Sequence, residues 1–175
     1  MADVTLREPI PFDRRVGAEA GYLTGDSDAK YIEIELAFDL GRAREAVEAV
    51  AQFHRHYARD HRVSTDSPLY VRFSDADDTL LSMASGRRTV YVSTFFDVPA
   101  ETADVRRVER FMAELSERMV TEYDARPHYG KQHSLTEGQM RLLYGDRYSR
   151  FLQVKQKLDP GAKFSNDYIQ RLMPS

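Results

Sequence analysis

The sequence contains no cysteine among its 175 residues. Without thiols the chain can form neither disulfides nor a thiolate metal site. Small domains stabilised by either of these are therefore excluded. The absence also fits a reducing compartment, in which disulfides are rare.

Long apolar runs and an excess of basic residues are missing as well. No segment approaches the roughly 18 to 20 apolar residues that a membrane-spanning helix needs, and the N-terminus lacks the apolar centre of a signal peptide. The net charge is -3 and the pI is about 6.0, whereas general nucleic-acid binders usually carry a basic stripe. We therefore expect a soluble, cytoplasmic chain with no membrane span and no nucleic-acid partner.

What the sequence does contain is the composition of a globular domain. Hydrophobic residues make up 42% and charged residues 30% of the chain, and its length suits one domain with a core of its own. Residues 1–29 are rich in Pro, Gly and Asp without a sustained period, which predicts an N-terminal arm or linker. Residues 30–175 carry the periodic segments and are predicted to form the domain.

The periodic segments predict strands and helices in the order β-α-β-β-α-β. The strands are KYIEIELAF, LYVRFS, SGRRTVYVSTFF and the short ARPHY. Apolar residues recur at helical spacing from about 41 to 60, and again from Pro99 to Tyr123. This order is that of an α+β, ferredoxin-like antiparallel sheet with helices on one face. Short C-terminal helices follow, with Thr136 and Asp146 as N-caps and a break at Pro160.

The helices of such a fold leave one face of the sheet uncovered. An aromatic and charged face of this kind suits a ligand or a partner, although a plain solvated face is the other interpretation. If no other partner covers it, we expect a homodimer. Alternation places the following residues on this face: Tyr31, Glu33, Glu35, Tyr70, Arg72, Tyr91 and Ser93.

Three histidines, His54, His56 and His61, lie close together at the end of the first predicted helix. A spacing of two residues makes the first pair diverge on a helix, whereas zinc-binding helices use spacings of three or four. We expect no metal site here and interpret the group as a solvated helix end.

The stretch RPHYGKQHSL, residues 126–135, gathers Arg126, His128, Lys131 and His133 at one corner. One interpretation is a β-turn at Gly130 with Lys131 in solvent. The other is a strand end that directs cationic groups at a ligand. The spacing alone leaves both open.

This corner and the C-terminal tail resemble the FAD-dependent aldonolactone and alditol oxidases of the vanillyl-alcohol-oxidase flavoprotein group, a family that includes D-arabinono-1,4-lactone oxidase. The family's corner reads His-Trp-Gly-Lys, and this chain has HYGK at 128–131. The family's strand with Glu-x-Arg corresponds to Tyr70-Val71-Arg72, and its Gly-Arg-x-Thr strand to residues 86–89. The tail pattern is matched by Leu158, Asp159, Pro160, Phe164, Asn166, Asp167 and Tyr168.

The resemblance implies roles for five residues. Lys131 would stand near the pyrimidine edge of the flavin, where a cation stabilises the reduced ring. Arg72 would reach both substrate and flavin. Tyr70 occupies the position of the family's acidic residue, so a hydroxyl stands where a carboxylate would bind the substrate. His128 and Asn166 would complete the cofactor-binding set with Lys131.

The resemblance also implies partners. In this family FAD is held mainly by a separate domain, and the 29 residues before the domain are too few to form one. We therefore expect FAD to come from a flavin-binding domain or subunit, and the chain to act as the cap over a small polyol or lactone substrate. Two alternatives remain: a flavin-free binding or regulatory module, and a cofactor-independent enzyme that uses the same sheet face.

Overall fold

The computed structural model describes residues 31–65, 67–97 and 102–174. The predicted arm, residues 1–29, and the predicted helix start at Pro99 lie outside these residues. Within them, no helix combines the length and the apolar character needed to cross a bilayer.

Four strands form one antiparallel sheet, as predicted. They are β1 (Tyr31–Asp39), β2 (Tyr70–Ser74), β3 (Thr89–Asp97) and β4 (Arg126–Pro127), in the spatial order β2-β3-β1-β4. The fourth strand is shorter than the predicted ARPHY. The order of elements along the chain gives the ferredoxin-like pattern, because α1 (Ala43–His61) connects β1 to β2 and α2 (Thr102–Tyr123) connects β3 to β4.

Helices α1 and α2 cover one face of this sheet. Alternation in β1 directs Ile34, Leu36 and Phe38 at the helices, and each is almost fully buried. The helices contribute an apolar stripe that includes Val50 from α1 and Phe111 from α2. The opposite face of the sheet, called the site face below, is therefore the face that carries the glutamates of β1.

Three C-terminal helices complete the domain: α3 (Glu137–Tyr144), α4 (Asp146–Leu158) and α5 (Asp167–Leu172). Thr136 is the N-cap of α3, as predicted, and the structure adds a capping box with Gln139. The prediction for Asp146 was wrong. Gly145 is the N-cap of α4, at a φ of 52° that glycine adopts without strain, and Asp146 is the first residue of the helix.

Arg126 joins these helices to the sheet. Its buried guanidinium donates hydrogen bonds to the carbonyl oxygens of Ser85 at 2.7 Å and Leu143 at 2.9 Å, and it lies 4.4 Å above the ring of Tyr144. Burial lowers the pKa of Arg126. Arg126 therefore links β4 to the loop before β3 and to the end of α3.

Candidate functional site

The pairing of the strands brings the predicted site residues into adjacent rows on the site face. Ser93 of β3 lies opposite Tyr70 of β2 on one side and opposite Glu35 of β1 on the other. Arg72 lies opposite Tyr91 in the next row. Since directly opposite residues of an antiparallel pair point to the same face, all five side chains share the site face.

Glu35 is the buried anchor of this arrangement. Its residue exposure is 3%, and its Oε2 atom forms an ion pair with Arg72 and accepts a hydrogen bond from Ser93 Oγ at 2.9 Å. The guanidinium of Arg72 also lies 5.6 Å from the ring centre of Tyr91. Arg72 is thus held from two sides, yet 66% of its side chain remains exposed to a ligand.

Lys131 is held in the same way one row further along β1. It forms an ion pair with Glu33, whose residue exposure is 8%. The backbone N–H of Lys131 donates to the carbonyl of His128 at 3.0 Å, which closes the predicted β-turn. The β-turn at Gly130 is therefore confirmed. The part of that interpretation that placed Lys131 in solvent is wrong, because only 30% of its side chain is exposed.

A cleft of about 520 Å³ opens beside Lys131. Tyr168 of α5 forms part of its wall and donates its hydroxyl to the carbonyl of Tyr129 at 2.7 Å. His133 lies behind this wall, 2.9 Å from the Tyr168 hydroxyl, and burial lowers the pKa of its imidazole to about 4. The neutral imidazole supports the wall and is not a cation of the site. The cleft is lined by Tyr31, Ile32, Glu33, Tyr129, Gly130, Lys131, Gln132 and Tyr168.

Comparison with known proteins shows which family this chain belongs to. The family model for D-arabinono-1,4-lactone oxidase matches residues 10–172. The chain belongs to that family. The resemblance read from the C-terminal motifs is confirmed, and the match begins inside the predicted N-terminal arm.

Individual relatives are 26% to 35% identical to this chain within the aligned segments. An L-gulono-1,4-lactone dehydrogenase of Mycobacterium tuberculosis is 33% identical over 144 residues, 82% of this chain and 31% of the relative. A long-chain alcohol oxidase of an uncultured marine euryarchaeote is 35% identical over 72% of this chain and 25% of its own length. An alditol oxidase of Streptomyces is 26% identical over 94% of this chain and 37% of its own length. The chain therefore spans about a third of the length of the relatives that it matches.

The five residues to which the family resemblance gave roles are not all brought together. Arg72, Lys131 and Tyr70 lie on the site face. His128 stands at its edge, half-buried, and its Nδ1 atom accepts a hydrogen bond from the N–H of Gly130 at 3.0 Å. Asn166 is exposed and caps α5 by accepting from the N–H of Ile169 at 2.9 Å, and it does not line the cleft. The proposed roles of all five remain predictions.

The sequence interpretation did not single out Glu33 and Glu35 as site residues. Alternation placed both on the correct face, but nothing local showed that they are buried. The available signal was the pair of cations, Arg72 and Lys131, that the family resemblance assigned to one flavin site, since buried carboxylates are almost always paired.

The histidine group at the end of α1 differs from the interpretation in one respect. His54 is not solvated: its ring lies 4.7 Å from that of Phe111, and burial lowers its pKa to about 4. His56 and His61 are exposed, as expected. Within the described ranges, no three acidic or histidine side chains are grouped so that they could hold a metal ion.

Proposed function

We propose that this chain is the substrate-binding cap of an FAD-dependent oxidoreductase that acts on the CH–OH group of a sugar lactone, a sugar alcohol or a similar alcohol. It would work with a flavin-binding domain or subunit that contributes most of the FAD site. The observation that carries the proposal is the pair of cations, Arg72 and Lys131, held on one sheet face by the buried carboxylates Glu35 and Glu33.

The residues present fit one edge of a flavin ring better than a whole FAD molecule. The ammonium group of Lys131 has three donors; among the described residues it forms an ion pair with Glu33 and lies 5.9 Å from the ring centre of Tyr31. The remaining donors can meet the carbonyl oxygens at the pyrimidine edge of a ring. The sequence has no glycine-rich phosphate-binding loop, which agrees with a pyrophosphate held elsewhere. When bound, FAD would supply the acceptor for the hydride that leaves the substrate carbon.

This chain's own residues would bind and orient the alcohol. Arg72 offers guanidinium donors to a substrate oxygen, because Glu35 occupies one edge of the group and the rest is exposed. Both described side-chain hydrogen bonds of Glu35 are accepted by Oε2, and Oε1 would accept a hydrogen bond from the substrate hydroxyl. Glu35 would thus supply the carboxylate that the family carries at the position of Tyr70.

Such a chain needs its flavin-binding part to react. We expect the purified chain to be colourless and to form a homodimer. The names of the relatives span lactones, alditols and long-chain alcohols, so the substrate class rests on the site itself. Tyr70 in place of an acid favours the second candidate, a flavin-free binding module.

A chimera tests the proposal. In the Mycobacterium tuberculosis relative, the matched segment of 144 residues is replaced by this chain, with the unaltered relative as the positive control. Anaerobic bleaching of the flavin absorbance by an alcohol or a lactone is the expected result. Lys131→Met should slow the bleaching about a hundredfold or more, whereas Lys157→Met, exposed on α4, should not. A yellow chimera that no such substrate bleaches would refute the oxidase role and favour the binding module.

A further inference from the structure

Three aromatic side chains form a continuous strip on the site face. The ring centres of Tyr31 and Phe95 are 5.6 Å apart, and those of Phe95 and Tyr70 are 5.0 Å apart. These residues come from β1, β3 and β2 in turn, so the aromatic strip crosses the sheet diagonally. Its two ends remain accessible, since Tyr31 is 55% and Tyr70 37% exposed.

The aromatic strip runs directly beside the charged groups. Phe95 lies opposite Glu33, and Tyr70 shares a row with Ser93 and Glu35. Successive rows on one face of a strand are about 7 Å apart. A ligand oxygen held by Arg72 therefore places the rest of that ligand within reach of the rings.

The shape of the aromatic strip limits what it can bind. Adjacent ring planes meet at 67° and 80°, so faces alternate with edges along the strip. The apolar C–H face of a sugar ring stacks best on a broad flat aromatic surface, and the tilted neighbouring rings do not form one. A flexible alkyl chain or an aryl group can follow the uneven surface and gains free energy by burying apolar area there.

Tyr70 also changes which ligands are favoured. A carboxylate at this position would form hydrogen bonds with further hydroxyl groups, and a site built in that way strongly rejects ligands without them. The ring of Tyr70 instead packs edge-on against Phe95. The position thus contributes a ring to the aromatic strip in place of the two carboxylate oxygens that would accept from a polyol.

We propose that the aromatic strip of Tyr31, Phe95 and Tyr70 binds the apolar arm of the substrate, so that the substrate is an alcohol carrying an alkyl or aryl group and not a polyol. The inference rests on the proposed function and narrows its substrate class. Arg72 and Glu35 hold the hydroxyl end, and the aromatic strip holds the hydrocarbon end.

Ligand-observed NMR on the full chain tests this inference without a flavin partner, at a protein concentration where light scattering shows a monomer, so that no second copy covers the site face. The probes are 1-hexanol, benzyl alcohol and xylitol. We expect saturation transfer to the first two and none to xylitol at the same concentration. Tyr31→Ser and Tyr70→Ser should each weaken the binding of 1-hexanol by about threefold to tenfold, because each removes one ring contact. Tyr70→Phe should recover the affinity that Tyr70→Ser loses.

Phe164→Ser is the matched control, since Phe164 is an aromatic residue with 83% exposure that lies outside the strip. If this variant weakens hexanol binding as much as Tyr31→Ser, the alcohol adsorbs to any exposed ring and the inference is wrong. Equal binding of xylitol and hexanol, or no binding of any probe, would also overturn it. Tyr70→Glu should shift the preference towards xylitol.

The chimera separates this inference from the proposed function. If hexanol and benzyl alcohol bleach the flavin and xylitol does not, both are supported. Bleaching by xylitol alone would keep the oxidase role and overturn the apolar arm. Alcohol binding that depends on the aromatic strip, without any bleaching, would keep the arm and refute the oxidase role.

Discussion

Replacing His54 should reduce the loss of stability of this domain between pH 6.5 and pH 4. The residue lies on α1 with its imidazole stacked on Phe96, at 6.0 Å between ring centres. Its Nε2 atom is buried and has no hydrogen-bond partner in the part of the chain that is described. Desolvation lowers the pKa of His54 from 6.5 to about 4, since a buried imidazole resists taking up a charge.

The direction of the effect follows from the two states. With the folded pKa near 4 and an unfolded pKa near 6.5, the unfolded chain takes up the proton first as the pH falls. The contribution of His54 to stability is therefore complete above pH 6.5 and is lost between pH 6.5 and pH 4. A difference of about 2.5 pKa units corresponds to at most about 3.4 kcal/mol of unfolding free energy.

Urea unfolding followed by circular dichroism at pH 7, 6, 5 and 4 measures this effect. Between pH 7 and pH 4, the unfolding free energy of the wild type should fall by about 2 to 3 kcal/mol more than that of His54→Leu. His56→Leu, an exposed change on the same helix, should keep the wild-type dependence. His133 titrates in the same direction but is present in all three proteins, so it cancels in the comparison. Equal pH slopes for wild type and His54→Leu would show that the imidazole is not desolvated as the packing indicates.

Three further changes test the packing of the site and its supports. Lys131→Met should lower the unfolding free energy by about 1 to 3 kcal/mol because Glu33 keeps a buried charge, and adding Glu33→Gln should restore most of it in urea melts. Arg126→Met should lower the unfolding free energy by about 3 kcal/mol and speed amide exchange in α3, because buried carbonyl groups lose their donors. Unchanged exchange would show that Arg126 does not link α3 to the sheet. Thr136→Ala removes the N-cap of α3 and should lower the unfolding free energy in urea melts by about 1 kcal/mol. Arg150→Ala, an exposed control, should change it little.

Alternation along β1 was sufficient to predict the sheet and its faces. Ile34 and Leu36 face the helices, and Glu33 and Glu35 face the other way, because successive side chains of a strand must point to opposite sides. The order of strands and helices then left a ferredoxin-like sheet as the simplest arrangement. These properties depend on short-range geometry, which a single sequence contains.

The burial of the glutamates could not be predicted in this way. Glu35 meets Arg72 across 37 residues of chain, and Glu33 meets Lys131 across 98 residues. His54 was misinterpreted for the same reason, since Phe96 and Phe111, which bury its ring, come from β3 and α2. A side chain becomes buried through partners that the fold brings together, and its local pattern can still be that of an exposed residue.

The pairing of these charges also bears on the ligand. Arg72 and Lys131 carry two positive charges, and Glu35 and Glu33 carry two negative charges directly against them. A group of four charges without net charge creates little long-range attraction for an anion, and its field falls off within a few ångströms. It can still orient a neutral hydroxyl group that touches it, because hydrogen bonds to charged groups are stronger than those to neutral ones. Under the proposed function, such a site would favour an uncharged alcohol over a sugar acid, and the aromatic strip would add affinity only when that alcohol has an apolar part.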